Sequence, residues 1–377
     1  MAEWKIPLFK IYWDNKDFEQ VSEAIKKGMF WAIGPNIDAF EEKISKYIGS
    51  KYAVTFNSGT SALHATLLAY GIGEGDEVIV PSFTFIATAN APLFVGARPV
   101  FADIEEKTFG LDPEDVAEKI TKKTKAIIPV HYGGCPCMIR ELKKIADDNN
   151  ILLIEDAAEA FGAGINKKMV GTFGQSSILS FCSNKIITTG EGGAVVTESK
   201  AIFEKLKLLR SHGRLETSNY FSCADNMEYV SLGYNFRMSN ITAALGIAQI
   251  DKVNKIIDLR REKAEYISKK LSSIDEIVIH MPPSDYFHVY QMYTIRVKNG
   301  RRDELAKFLG ENGIMTKIYF TPVHHSYFYK NILKYRCKLP VTEELSEQVL
   351  TLPMHPLLTI DEMDFITSKI ETFFSGT

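Results

Sequence analysis

The sequence lacks an excess of charge of either sign, because its formal net charge is only −3 over 377 residues. A bulk electrostatic attraction to nucleic acid or to an anionic membrane surface is therefore not expected, and local groups must bind any phosphate-bearing ligand. The sequence also lacks an apolar run near the ~20 residues that a membrane-spanning helix needs. We expect neither a nucleic-acid partner nor a membrane segment.

Cysteine is scarce: the five residues do not show the spacing of a secreted disulfide framework. The first residues, MAEWKIPLFK, have no apolar core of the kind that signal peptides carry. A cytoplasmic location is therefore expected. Cys135 and Cys137 form a Cys-x-Cys pair, but no second pair or clustered histidine in the sequence completes a metal site. No metal is expected.

Two glycine-rich nucleotide-binding signatures are missing as well. No Gly-Lys-Ser/Thr follows the NSGTS segment at residues 57–61, which argues against a P-loop for nucleoside triphosphates. No Gly-x-Gly-x-x-Gly follows the first predicted strand, which disfavours a dinucleotide-dependent oxidoreductase. The composition is that of an ordinary globular protein, with 45% hydrophobic and 24% charged residues, and the length favours about two domains.

Between residues 52 and 240, β-like segments alternate with segments of helical periodicity. Strands are predicted at 52–56, 77–80, 98–102 and 151–154, and helices at 60–70, 86–95 and 139–149. This alternation indicates an α/β fold with a mostly parallel central sheet covered on both faces. We therefore predict a large α/β domain over residues 1–240.

The remaining residues, 241–377, are predicted to form a smaller C-terminal α+β domain. A single long helical register from Asn240 to about Ser273 leads into it. A strand is predicted at 290–297 and a helix at 301–313, and the segment from residue 346 is interpreted as a loop followed by the terminal helix.

The segment NKIITTGEGG, residues 184–193, places a lysine after a β-like run and before a glycine-rich turn. Lys185 is therefore expected to point into a cleft, where its amine can trap an aldehyde as a Schiff base. The alternative is an ordinary solvated lysine on the surface.

A buried strand upstream, in ILLIEDAAEAFGA, ends in Glu155 and Asp156. The carboxyl ends of strands are where α/β sheets place ligand chemistry. In combination with a Schiff-base lysine, Asp156 suggests pyridoxal 5′-phosphate, because a carboxylate keeps the pyridine nitrogen of that cofactor protonated.

Three further positions have a ligand-binding and a structural interpretation. NSGTS lies between a strand and a helix, where backbone N–H groups form an anion site suited to a monoester phosphate, or where a serine simply caps the helix. Phe85 follows another strand end and is placed to lie on a planar cofactor, or to pack in the core. Trp31, in a turn, stacks either on a ligand base or on the core.

Together, NSGTSALH, PSFTFIATANA, IEDAAEAFGA, SFCSNKIITTGEGG and GYNFRMSNITAALG resemble, in order and spacing, the DegT/DnrJ/EryC1/StrS family of sugar-nucleotide aminotransferases. The resemblance covers nearly the whole chain and implies fold type I of the pyridoxal phosphate-dependent transferases. It identifies Lys185 as the Schiff-base lysine and Asp156 as the partner of the pyridine nitrogen. Glu159 takes the place, more often Gln or His in the family, beside the ring hydroxyl. The other cofactor contacts implied are Gly59, Thr60 and Ser180 to the phosphate, Phe85 stacked on the ring, and Asn235 from the neighbouring subunit.

The resemblance also implies a homodimer with shared sites and a ping-pong reaction. An amino acid, usually glutamate, converts the cofactor to pyridoxamine 5′-phosphate, and a keto sugar then receives the amine. IEDAAEA and NKIITTGEGG most resemble the branch that aminates C4 of GDP-4-keto-6-deoxymannose to give GDP-perosamine, for surface polysaccharide biosynthesis. A UDP- or dTDP-linked keto sugar, aminated at C3 or C4, is the alternative.

Substrate contacts are predicted from the C-terminal part and from one loop. Two alternatives to an aminotransferase are disfavoured. Relatives that catalyse a dehydration carry histidine in place of the Schiff-base lysine, whereas this chain has Lys185. A regulatory protein without turnover would not need both Lys185 and Asp156, and this chain has both. Every histidine among the candidates has a structural alternative. The candidates are His288, Tyr290, His324, His325 and His355 near the cleft, Arg237 and Lys317 for the diphosphate, and His212 and Arg214 in a loop reaching a partner's site.

Overall fold

The computed structural model describes residues 4–215 and 228–376. Both helices and strands are distributed along this part of the chain. The helices are α1 Asn15–Lys26, α2 Pro35–Ile48, α3 Gly59–Ala69, α4 Ile86–Phe94, α5 Pro113–Lys119, α6 Ile139–Asp148, α7 Lys200–Arg210, α8 Asn240–Ile250, α9 Val253–Leu271, α10 Arg302–Glu311, α11 Pro340–Gln348 and α12 Ile360–Ser375. The strands are β1 Tyr52–Phe56, β2 Glu77–Pro81, β3 Arg98–Ala102, β4 Thr124–Ile127, β5 Leu152–Asp156, β6 Gly164–Ile165, β7 Lys168–Met169, β8 Ser176–Ser180, β9 Gly193–Thr197, β10 Ile277–Ile279, β11 Tyr286–Phe287, β12 Tyr293–Val297 and β13 Val349–Leu352.

The central sheet has seven strands in the order β1-β9-β8-β5-β4-β2-β3. Neighbours from β8 to β3 are parallel, whereas β9 runs antiparallel to both β1 and β8. Apolar clusters contributed by α2 and α8, and by α3, α4 and α7, bury the strand side chains. The predicted α/β fold with a mostly parallel sheet is confirmed. Because β1, β2, β5 and β8 point the same way, their carboxyl ends meet at one edge.

Strand β9 brings the GEGG turn against the start of α3. A Cβ atom added to Gly193 would lie 2.5 Å from the backbone nitrogen of Gly59, which no real side chain tolerates. Glycine at this position therefore lets two segments that lie far apart in the sequence approach each other. They are the segment that carries Lys185 and the NSGTS turn.

A second sheet, β10-β12-β13, packs with α9, α10 and α12 around an apolar cluster of its own. The interpretation of residues 349–352 as loop was wrong, since they form β13 and pair with β12. Ile6 belongs to the same cluster, and its backbone bonds to Gly313 and Met315. The division at residue 240 stays a prediction.

The long register from Asn240 is two helices rather than one, since α8 ends at Ile250 and α9 begins at Val253. At the break, the Lys252 ammonium pairs with Asp14 at 2.8 Å and also contacts Asp17. These contacts tie the break to α1. Within the described ranges, no helix combines the length and the apolar character that crossing a membrane requires.

Candidate active site

A cavity of about 620 Å³ lies at the carboxyl edge of the seven-stranded sheet. The loops after β1, β2, β5 and β8 line it, and residues 317–320, between α10 and α11, close one side. The structure thus gathers at one place segments that are far apart in the chain. The predicted residues that line the cavity are Gly59, Thr60, Phe85, Asp156, Glu159, Ser180, Lys185 and Lys317.

Lys185 lies in the loop between β8 and β9, and its amine is held rather than free in water. Its Nζ is 3.4 Å from Oε1 of Glu159, and the two side chains are 13% and 9% exposed. The backbone N–H of Gly133 donates to the other Glu159 oxygen at 3.0 Å. Glu159 therefore anchors the lysine amine at the cavity wall.

Asp156 is the last residue of β5 and is buried. Thr88 Oγ1 donates to its Oδ2 at 2.8 Å, and the N–H of Ala158 donates to its Oδ1 at 3.1 Å. Burial raises the pKa of Asp156, while these two hydrogen bonds oppose the rise. An ionised carboxylate can accept further hydrogen bonds beyond these two, so Asp156 keeps capacity for a cationic N–H group in the cavity.

The neighbouring carboxylate, Glu155, faces the interior rather than the cavity. It contacts the ring of His131 at 3.1 Å and accepts backbone N–H groups of Gly171, Phe173 and Gly174. Burial disfavours its charge, but these hydrogen bonds prevail and lower the pKa of Glu155. Of the two acids that end β5, Glu155 therefore fixes the loop at residues 171–174, and Asp156 is the one that lines the cavity.

The start of α3 supplies an anion site to the cavity. Ser58 caps the helix by accepting the N–H of Ser61 at 3.1 Å. The first N–H groups of a helix have no partner within it, and here they belong to Gly59 and Thr60. A Cβ on Gly59 would lie 3.2 Å from the Cβ of Ser180, so glycine lets this serine approach closely. The arrangement fits a phosphate group.

Phe85 stands just before α4 at the mouth of the cavity. Its side chain is 61% exposed and lines the cavity. A ring at this place can stack on a planar heterocycle. Helix α4 thus presents the aromatic Phe85 to the cavity and places Thr88 against Asp156.

The sequence interpretation missed several residues of this site. Thr84 and Thr88 share a hydrogen bond of 3.1 Å, and Thr88 continues it to Asp156. Their spacing of one helical turn in PSFTFIATANA was the available signal. Nothing in the local sequence indicated the position of five further residues that line the cavity. They are Cys182, Asn184, Glu191, Tyr319 and Phe320.

Other predicted residues do not line the cavity of this chain. Trp31 is exposed, and its Nε1 donates to the carbonyl of Ile25 at 3.1 Å. Asn235 is also exposed, and Arg237 donates to Ser211 Oγ at 3.3 Å.

His288 and Tyr290 were expected on a loop over the cleft, and the structure places them in packed positions instead. Their rings stack at 4.0 Å, and His288 Nδ1 accepts the backbone N–H of Tyr290 at 2.9 Å. Burial holds the pKa of His288 well below its ordinary value. The structural alternative describes His288 better than a substrate contact.

The remaining histidines lie outside the cavity too. His324 is buried against Ser82, and His325 is exposed beside it. His355 is fully buried, which lowers its pKa to about 4. His212 is exposed, and Arg214 is buried with a contact to Ser211 at 3.3 Å. Residues 216–227, which include Cys223, lie outside the part of the chain that the structure describes.

Comparison with known proteins decides the family. Residues 12–371 match the sequence profile of the DegT/DnrJ/EryC1/StrS aminotransferase family. The chain belongs to this family. Among its relatives is a GDP-perosamine synthase of Escherichia coli O157:H7, 38% identical over 98% of this chain and 99% of the relative. A GDP-perosamine synthase of Vibrio cholerae is 36% identical over the same shares of both chains.

Solved structures of DegT/DnrJ/EryC1/StrS enzymes share the fold over the whole chain. Helicobacter pylori PseC, an aminotransferase of pseudoaminic acid biosynthesis, has a TM-score of 0.92 at 28% identity and covers 100% of both chains. DesV of S. venezuelae, solved with a ketimine intermediate, has a TM-score of 0.89 at 30% identity over 98% of each chain. The fold type I expectation is therefore confirmed, and the chain is a pyridoxal phosphate-dependent sugar aminotransferase of this family.

Proposed function

We propose that this chain transfers an amino group from glutamate to a nucleotide-linked 4-keto-6-deoxy sugar, namely GDP-4-keto-6-deoxymannose, and so makes GDP-perosamine for a surface polysaccharide. Three relatives named GDP-perosamine synthase, 36–38% identical over at least 95% of this chain, support the substrate. The observation that carries the chemistry is that Lys185 and Asp156 line one cavity together with the anion site at the start of α3.

The cavity residues fit pyridoxal 5′-phosphate, which would supply a carbonyl carbon and an electron-accepting ring. The N–H groups of Gly59 and Thr60, with Ser180, would hold the phosphate. Phe85 would cover one face of the ring. Asp156 would keep the proton on the pyridine nitrogen, because its buried carboxylate is oriented by Thr88 and Ala158.

Lys185 is proposed both as the attachment point of the cofactor and as the group that moves the proton. Its amine is the one basic side chain that Glu159 holds at the cavity wall among the described residues. Once free, this amine would move a proton between the substrate carbon that carries nitrogen and the cofactor carbon bonded to that nitrogen. Glu159 would hold the amine in the cavity for this transfer.

Lys317 is proposed to bind an anionic part of the substrate. Among the described cavity residues, Lys185 and Lys317 are the two cationic side chains. The Lys317 amine lies 4.8 Å from the centre of the Tyr319 ring, on the side of the cavity that residues 317–320 close. A nucleotide sugar brings a diphosphate and glutamate brings two carboxylates, so a cation at this wall serves either reactant.

We further propose a cytoplasmic homodimer with shared sites, in which Asn235 completes the phosphate site of the neighbouring subunit. Support comes from its position: Asn235 is exposed and does not line the cavity of its own chain, although it lies in one of the family segments. Exposed apolar side chains nearby, such as Leu232 and Tyr229, suit a subunit interface.

Shared sites predict rescue between two inactive variants. Asn235→Ala and Lys185→Ala should each be inactive at limiting cofactor, but in a mixed dimer one site receives both native residues. After random exchange about half of the dimers are mixed, so about a quarter of all sites should regain activity. Activity of the mixture, with subunit exchange verified by mass-tagged chains, is the measurement. Exchange without any rescue would show that each site is built from a single chain.

The substrate proposal is tested with a panel of keto sugars carried on GDP, UDP and dTDP, each offered with glutamate. We expect 2-oxoglutarate to form with the GDP-linked 4-keto-6-deoxy sugar. Its kcat/KM should be at least about tenfold above that of the UDP- and dTDP-linked sugars, because loss of a contact to the base lowers kcat/KM by about that factor. Product analysis by NMR would place the new amine at C4. Turnover restricted to UDP or dTDP sugars, or amination at C3, would reject the GDP-perosamine assignment and leave the aminotransferase assignment intact.

A further inference from the structure

A second group of ionisable side chains lies outside the cavity, where the turn 323–325 packs against α11. His324 Nε2 is 3.4 Å from Glu343 Oε1, and His325 Nε2 is 3.9 Å from the same oxygen. The three potential ligand atoms all lie within 4.8 Å of one another. None of the three residues lines the proposed active-site cavity.

His324 presents an unsatisfied ring nitrogen to this group. Its side chain is 4% exposed, and its Nε2 makes no hydrogen bond even though Glu343 is near. Buried polar atoms in folded proteins nearly always have a partner, because leaving one unpaired is costly. A ligand bound to this nitrogen would therefore give it the partner that it lacks within the protein.

The other side of the same ring is fixed in place. His324 Nδ1 is 2.7 Å from Ser82 Oγ, and that oxygen also accepts the backbone N–H of His324 at 3.0 Å. A histidine that binds a metal usually has its second ring nitrogen held in this way. Burial lowers the pKa of His324 and so disfavours the charged ring.

We propose that His324, His325 and Glu343 bind one divalent transition-metal ion of the Zn²⁺ type. With zinc–ligand distances of about 2.0 Å, the ligand atoms of a tetrahedral site lie about 3.3 Å apart, close to the 3.4 Å already present between His324 and Glu343. The His325 side chain is 44% exposed and can move to close the longer gap. The exposed side of the cluster admits the ion and leaves a position for water.

Such an ion would join two parts of the chain beside the cavity. His324 and His325 follow Tyr319 and Phe320, which line the cavity, and Glu343 belongs to α11. The site would therefore brace the wall of the cavity rather than take part in the reaction. It depends on neither the proposed cofactor nor the proposed substrate.

The test uses full-length protein without a histidine tag, stripped of metal with a chelator and then dialysed. Calorimetry with Zn²⁺ should give one ion per chain, and Co²⁺ should give the visible absorption of a four-coordinate site. His325→Gln and Glu343→Gln should each weaken binding at least about tenfold, as loss of a ligand or its support does. The matched control is His212→Gln, an exposed histidine outside the cluster, which should bind as the wild type does.

Folding of the variants does not confuse the result, because both substituted side chains are partly exposed, at 44% and 38%. Melting curves without metal should therefore match the wild type, and added Zn²⁺ should raise the melting temperature of the wild type and of His212→Gln alone. The proposal is overturned if the wild-type chain binds no stoichiometric ion. Undiminished binding in both cluster variants would overturn it equally, since the ion would then sit elsewhere.

Discussion

Lys185→Ala is expected to lose the covalent attachment of pyridoxal 5′-phosphate and to reduce turnover by at least about 10³-fold. The reason is that, in the proposed mechanism, one amine supplies both the bond to the cofactor and the proton transfer. Reduction with borohydride followed by mass spectrometry should show the cofactor on the wild-type peptide that contains Lys185 and on no peptide of the variant. Before reduction, the variant should also lack the visible absorption of the lysine-bound cofactor that the wild type shows.

Lys317→Ala is the matched control for this experiment, because it removes the other cavity lysine. It should keep the borohydride-stable adduct and the absorption, and raise KM for the anionic substrate by about tenfold, the effect of losing one charge-assisted hydrogen bond. Turnover near the wild-type value in Lys185→Ala would contradict the assignment. An adduct found on Lys317 would exchange the roles of the two lysines.

The fold was predictable where local patterns are strong. Strands 52–56 and 98–102 lie where the sequence placed them, because buried apolar runs between turn residues carry a clear signal. Strand β13 was missed, since its four residues become a strand only by pairing with β12. The break between α8 and α9 was missed for a similar reason: it accompanies contacts of Lys252 with α1, which lies more than two hundred residues away.

The cofactor side of the candidate site was predictable to a similar degree. Residues such as Asp156 and Gly59 stand at the carboxyl ends of strands, and parallel strands bring those ends together. The contact from Thr88 to Asp156 and the one from Gly133 to Glu159 depend on how helix and loop pack on the sheet. Residue type alone carries no information about those partners.

The substrate side was the least predictable. A histidine is a frequent ligand-binding residue and also packs well in an interior, so its role depends on burial, which a single sequence does not reveal. His288 illustrates this, because its ring is stacked on Tyr290 and bonded to the backbone. His324 shows the opposite case: its buried Nε2 without a partner is visible only in the structure.

Asp156→Asn is expected to reduce kcat by about 10²–10³-fold while leaving the fold intact, because removing one preorganised electrostatic partner has an effect of this size. The asparagine oxygen can still accept the N–H of Ala158, and Thr88 can rotate to accept from the amide, so the buried site stays satisfied. The charge that we propose holds the proton on the pyridine nitrogen is lost. Single-turnover kinetics with glutamate would show the loss in the proton-transfer step.

Variants of Thr88 distinguish the effect of the charge of Asp156 from the effect of its orientation. Thr88→Val keeps the shape of the side chain but removes the donor at 2.8 Å, and a smaller loss, about tenfold, is expected. Thr88→Ser restores the donor and should restore most of the rate. If Asp156→Asn instead turned over like the wild type, with the cofactor bound and the melting temperature unchanged, the carboxylate would have no role in holding the ring proton, and the cofactor assignment would need another electrostatic partner.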